Sequence, residues 1–151
     1  MKFRFVDKII KWEPFHSIHG RKAVSFEEYC LKSPFGGSEA LPESILLGAG
    51  IELVTWLCIL STQYHKGMLV QEIGASEFYS QLHPGQVVDM DGLIHERLND
   101  LVLFDLSGLV AGKQLFVSRG CRGRLVDLVE THDPDDLQTL FSEISSQIAI
   151  Q

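Results

Sequence analysis

Hydrophobic residues are spaced in two different ways along this chain. Between Leu41 and Tyr64 they run together, as Ile45-Leu46-Leu47, Gly48-Ala49-Gly50 and Ile51-Glu52-Leu53-Val54-Thr55-Trp56-Leu57-Cys58-Ile59-Leu60. A surface helix carries one apolar stripe, whereas a helix apolar on every side must be surrounded. Glu52 interrupts the run, and the apolar stretch is shorter than the roughly 20 residues that a bilayer span needs. The segment therefore predicts one central helix inside the protein and no membrane span. Pro42 suits the first turn, where its missing N–H is no loss, and Glu43 complements the positive end of the dipole. His65-Lys66-Gly67, two cations and a glycine, predicts the C-terminus.

Elsewhere the spacing is that of strands. Phe3–Trp12 and Ile18–Phe26 predict two, rich in β-branched and aromatic residues and joined by a turn at Glu13-Pro14-Phe15. After the helix come Met68–Gln81, Gln86–Arg97, Leu101–Leu109 and Gln114–Arg119, separated by His83-Pro84-Gly85, Leu98-Asn99-Asp100 and Val110-Ala111-Gly112-Lys113. A parallel sheet would need helices between its strands, so this order predicts an α+β fold with an antiparallel sheet. In the tail, Asp133 reads as an N-cap and Pro134 as the first helical residue. Leu137, Leu140, Phe141, Ile144 and Ile148 then form one apolar stripe, which predicts a second helix packed on the same domain.

Composition narrows the function classes. With 151 residues, 45% of them hydrophobic, the chain has the length and content of one globular domain. A net charge of −7 argues against general nucleic-acid affinity. The basic groups Lys2-Arg4-Lys8-Lys11 and Arg119-Arg122-Arg124 read as solvated surface, with an acidic docking partner as the sharper alternative. Cys30, Cys58 and Cys121 have no metal-ligand spacing, and the N-terminus has no apolar signal core. Both point to a cytoplasmic protein, and neither a metal nor a cofactor is expected. None of His16, His19, His65, His83, His95 or His132 has the spacing of a helical metal site.

A family resemblance rests on the order of several short segments. Phe5-Val6-Asp7-Lys8-Ile9-Ile10-Lys11-Trp12-Glu13-Pro14, Lys22-Ala23-Val24-Ser25, Ser33-Pro34-Phe35 and Leu41-Pro42-Glu43-Ser44-Ile45-Leu46-Leu47 are followed by Ser76-Glu77-Phe78-Tyr79 and Leu82-His83-Pro84-Gly85-Gln86-Val87-Val88. Over roughly residues 5–118 the chain resembles the β-hydroxyacyl-[acyl carrier protein] dehydratases. The resemblance implies a hot-dog fold over 1–130, one helix wrapped by a curved antiparallel sheet, with 131–151 as an added helix. It also implies a homodimer or dimer-based assembly, and acyl carrier protein or a CoA thioester as partner. The family's catalytic histidine lies in a Gly-His-Phe-Pro-Gly loop before the helix. Here that loop reads Pro34-Phe35-Gly36-Gly37-Ser38-Glu39-Ala40-Leu41-Pro42 and contains none. The family's helix carboxylate falls, counted from Pro42, on Gly48, and Glu52 comes one turn later.

Three readings of the chemistry follow. The first is a dehydratase-like protein of fatty-acid or related metabolism with an eroded catalytic pair. Losing a well-placed acid or base costs about 10²–10⁴-fold each. Phe35, Gly36, Gly37, Ser38, Pro42 and Gly48 are then the candidate substrate-binding residues, with backbone N–H groups near the helix start to hold a thioester carbonyl. The second is a thioesterase in which Glu52 is the catalytic carboxylate; the bland reading of Glu52 is a hydrogen-bonded structural group. The third is a non-catalytic interaction or acyl-binding module. Two mid-helix glycines cost near 1 kcal/mol each against alanine, so Gly48 and Gly50 each require a reason, close packing or an acyl chain.

Overall fold

The computed structural model describes residues 5–24, 40–128 and 133–145. Its strands are β1 (Lys8–Glu13), β2 (Ser17–Ala23), β3 (Lys66–Glu72), β4 (Ala75–Phe78), β5 (Val87–Leu98), β6 (Leu101–Val110) and β7 (Lys113–Asp127). Its helices are α1 (Glu43–Ser61) and α2 (Pro134–Ser145). The strands form one antiparallel sheet in the order β1-β2-β5-β6-β7-β3, with β4 also beside β7.

Alternation sorts the side chains of this sheet. Val88, Met90 and Ile94 of β5 and Val102, Phe104 and Leu106 of β6 turn inward and are buried. Asp89, Asp91, Leu93, Leu103, Asp105 and Ser107 occupy the intervening positions on the other face. The inward face curls around α1, which touches β1, β2, β3, β5 and β6. Ala49, Leu53, Val54, Leu57 and Cys58 lie completely buried against it. Each large aliphatic side chain so enclosed contributes about 1.5–3 kcal/mol. This is the hot-dog architecture expected from the sequence. By length and composition α1 would be long enough to cross a membrane, but here it is the core helix.

Three boundaries differ from the sequence expectation. α1 ends at Ser61, not at His65-Lys66-Gly67. Gln63 and Tyr64 adopt left-handed dihedrals (φ 55° and 67°) that turn the chain back. The Thr62 hydroxyl accepts from Lys66 N at 3.0 Å, so Lys66 and Gly67 open β3 instead. The single strand expected over Met68–Gln81 is two, broken at Ile73-Gly74. The break faces Gly120 (φ 75°), where β7 bulges between its pairing with β4 and its pairing with β3. Finally, β7 continues beyond Arg119 to Asp127, because Cys121, Gly123 and Leu125 keep facing inward while Arg122 and Arg124 face solvent. The turns at Asn99 (φ 56°) and Ala111-Gly112 (φ 51° and 80°) stand where expected.

α2 begins as read from the sequence. Asp133 Oδ1 accepts from Asp135 N at 3.0 Å, capping the first turn. Its apolar stripe lies across α1 and β1: the Phe141 ring is 6.1 Å from that of Trp56, and Ile144 is buried in the common core. Ile148 of the expected stripe lies outside the described residues.

Candidate functional site

The sheet encloses α1 on one side, and α2 approaches it from the other. Between them lies a cavity of about 350 Å³. Six residues of α1 line it: Gly48, Ile51, Glu52, Thr55, Trp56 and Ile59. Their spacing, 0, 3, 4, 7, 8 and 11, is one face of a helix. At a rise of 1.5 Å per residue that face runs for about 16 Å, so the cavity is elongated. Phe5 closes one side, Met68 and Leu128 another, and Leu137 and Leu140 of α2 the third.

Polar groups are few on these walls. The Thr55 hydroxyl is already committed, donating to Ile51 O at 2.8 Å. The indole N–H of Trp56 is buried and has no acceptor among the described residues. Glu52 is the one carboxylate among the lining residues, and it is 7% exposed. Its Oε2 accepts from Phe5 N at 2.6 Å and Val6 N at 3.2 Å. Those bonds supply the pairing that a buried carboxylate requires and fix the side chain's direction. Glu52 thus holds the chain before β1 and also borders a cavity.

The two helix glycines separate. A Cβ on Gly50 would stand 2.9 Å from Leu106 Cδ1, so close packing against the sheet accounts for that glycine. A Cβ on Gly48 would meet only the Phe5 ring, at 3.6 Å, an ordinary contact. No neighbour among the described residues explains why Gly48 lacks a side chain.

The remaining sequence candidates fall elsewhere. Pro42 is the N-cap of α1, its carbonyl accepting from Ile45 N at 3.1 Å, and it does not line the cavity. It lies about 9 Å along the axis from Gly48. Phe35, Gly36, Gly37 and Ser38 lie outside the described residues. None of the described histidines is among the lining residues: His19 faces Asp91 on the outer sheet surface at 2.9 Å, His95 pairs with Asp105, and His65 adjoins the lining only through its carbonyl, which accepts from Leu128 N at 2.9 Å. Among the described residues no group of His, Cys, Asp or Glu has the arrangement of a metal site. Cys58, on the sheet side of α1, has its thiol pushed up to about 12 by burial.

Trp56, Met68, Leu128, Leu137 and Leu140 do not stand out in the sequence as site residues. A signal did exist. Glu52 and Thr55, the two polar residues in the middle of the helix, are three apart and with Gly48, four residues before Glu52, mark one face.

No protein-family model matches the chain, and no curated protein does. Solved structures do. One is smu.793 from Streptococcus mutans UA159, bound to acetyl CoA, with a TM-score of 0.63 at 8% identity over 80% of this chain and 88% of that one. The E. coli PaaI protein from the phenylacetic acid degradation operon has a TM-score of 0.63 at 10% identity, over 80% of each chain. A hypothetical thioesterase from Streptococcus pneumoniae TIGR4, with coenzyme A, has a TM-score of 0.63 at 9% identity, over 80% of this chain and 88% of that one. At such identities the likeness is one of fold, and it places this chain among hot-dog proteins by architecture.

Proposed function

We propose that this protein hydrolyses acyl-CoA thioesters, with Glu52 as general base beside the α1 cavity. One observation carries the reading: a single buried carboxylate among the described residues stands at the side of an elongated apolar cavity on the central helix of a hot-dog fold. The apolar walls suit an acyl chain, and a carboxylate suits activation of water. Glu52 takes a proton from water, the oxygen adds to the thioester carbonyl carbon, and the C–S bond breaks. The proton passes to the departing thiolate. Two of the similar structures hold coenzyme A or acetyl CoA, which supports CoA over acyl carrier protein as the carrier.

Hydrolysis is preferred to the dehydration implied by the sequence resemblance. Dehydration needs an acid and a base placed together, and no histidine among the described residues lines the cavity. Hydrolysis by one carboxylate asks for less. Assay of acyl-CoA hydrolysis in wild type and Glu52→Gln decides the matter. The amide oxygen of glutamine can still accept from Phe5 N and Val6 N, so the fold survives while the base is lost. A fall in kcat of about 10²–10⁴-fold is expected. Undiminished turnover in Glu52→Gln overturns the role of Glu52, and efficient conversion of 3-hydroxyacyl to 2-enoyl thioesters overturns hydrolysis as the reaction.

The same proposal includes a homodimer joined along the β3–β4 edge. β3 and β4 each pair only with β7 among the described residues, and Leu69, Ile73 and Tyr79 on this edge are 53%, 43% and 50% exposed. An exposed apolar edge strand is a template for further pairing. Light scattering should give twice the chain mass for wild type and a monomer for Leu69→Lys combined with Ile73→Lys.

A further inference from the structure

We infer that the segment leading into β1 is a strap over α1, and that Phe5 must withdraw from Gly48 and Glu52 before Glu52 can act on water. This rests on the hydrolase reading above and adds a regulated step to the same site. As the chain is folded, the carboxylate is engaged. Oε2 accepts from both Phe5 N, at 2.6 Å, and Val6 N, at 3.2 Å, which occupies the lone pairs of that oxygen. Oε1 is itself buried. A base covered in this way has no reach to the proton of a water molecule in the cavity. The Phe5 ring completes the cover. It is one wall of the cavity, and its Cε2 and Cδ2 lie 3.6 and 3.7 Å from where a Cβ on Gly48 would stand. At that distance a methyl group would meet the ring without pushing it, so over Gly48 the ring stands off the helix.

The anchor of the strap lies immediately after Phe5. Val6 is completely buried, Asp7 N donates to Arg21 O at 2.9 Å, and Asp7 Oδ2 accepts from Ala23 N at 2.6 Å. Pairing of β1 with β2 starts only at Lys8, opposite Arg21. Phe5 can therefore swing out about Val6 without disturbing the sheet. Its withdrawal frees one lone pair of Oε2 and uncovers Gly48, while Val6 N keeps the carboxylate aimed. The two bonds suit that division, since the one from Phe5 is only part-buried and the one from Val6 is buried.

The test follows amide exchange by NMR, with and without an acyl-CoA analogue that carries a methylene group between carbonyl and sulfur and so resists hydrolysis. The analogue should raise exchange at the Phe5 amide at least about tenfold, because opening exposes it, and leave the Val6 amide as it was. Kinetics give a second readout. A strap that must open lowers apparent affinity by the open fraction, so Phe5→Ala should lower KM by about threefold to tenfold, more than it changes kcat. Gly48→Ala gives the ring a methyl group to rest on and should raise KM, but not in the Phe5→Ala background. Unchanged or slower Phe5 exchange with the analogue bound overturns the strap. So does a KM that is not lowered in Phe5→Ala, or an equal rise from Gly48→Ala in both backgrounds. Opening at Phe5 in a protein that hydrolyses no acyl-CoA supports the strap and defeats the hydrolase reading. Hydrolysis that needs Glu52 without opening at Phe5 defeats the strap alone, and absence of both defeats both.

Discussion

On the side of α1 that meets the sheet, Ala49, Leu53 and Leu57 have no exposed surface, and a methyl group at Gly50 would run into Leu106. On the side that meets α2, Gly48, Ile51 and Thr55 stay half-buried around a cavity, and a methyl group at Gly48 would fit. The two glycines lie two residues apart and carry the same helix penalty, near 1 kcal/mol each. Packing among the described residues explains Gly50 and does not explain Gly48. A helix apolar on all sides is therefore not uniform: one side is filled by the sheet and the other borders a cavity.

The sharpest way to break this contrast is truncation on the two sides. Leu57→Ala, on the filled side, should lose about 2–5 kcal/mol in urea unfolding, because nothing can collapse into the space. Ile51→Ala, on the cavity side, should lose about 1 kcal/mol, since part of its surface already faces open space. Equal losses would mean that the two sides are packed alike.

Next in size is the carboxylate. Glu52→Leu leaves two backbone N–H groups, those of Phe5 and Val6, without their acceptor, and should cost about 1–3 kcal/mol. Glu52→Gln keeps the acceptor and should lie close to wild type in stability. If both variants unfold at the wild-type midpoint, the bonds to Phe5 and Val6 do not hold the strand.

Alkaline titration probes the filled side again. The Cys58 thiol is shifted from 9.0 to about 12 because burial disfavours the thiolate, and burial also raises Tyr64. Between those two values the unfolded chain releases the Cys58 proton and the folded one keeps it. Stability is then unaffected below pH 9.0 and falls as the pH rises towards about 12. The slope from one such group is at most about 1.4 kcal/mol per pH unit. Thermal unfolding of Cys58→Ala across the same range should show a shallower fall than wild type; an identical slope would remove Cys58 as its source.

The smallest effect compares the glycines directly. Gly48→Ala should gain up to about 1 kcal/mol from helix propensity alone. Gly50→Ala gains the same amount but must displace Leu106, at a cost of about 1–3 kcal/mol, and should come out less stable than Gly48→Ala. The reverse order would mean that the sheet side yields and the cavity side does not.

Much of this fold is legible in the amino-acid sequence. A run apolar on every side has one solution in a strand-rich chain, so α1 had to be the core. Runs of β-branched and aromatic residues between turn signals located the strands, with β3 and β4 read as one, and Asp133-Pro134 located the start of α2. Among the candidate site residues, Glu52 and Gly48 stand together on the cavity, and Pro42 stands apart at the helix start. The ends of elements were less legible. His65-Lys66-Gly67 carries a helix-stop composition but serves β3, because Gln63 and Tyr64 have already reversed the chain. The break before β4 depends on a bulge at Gly120, and Gly74 N meets Cys121 Sγ, 47 residues away, at 3.5 Å.

Local pattern alone settled which segments are helix or strand and which of their faces is apolar, since periodicity is a property of consecutive residues. Tertiary structure decided that Glu52 accepts from Phe5 and Val6, that Gly50 is crowded while Gly48 is not, and that Leu137 and Leu140 close a cavity against Trp56. Each of these depends on residues far apart in the chain meeting at a distance of a few ångströms. Spacing along a sequence carries no measure of that distance, and a cavity is made of nothing else.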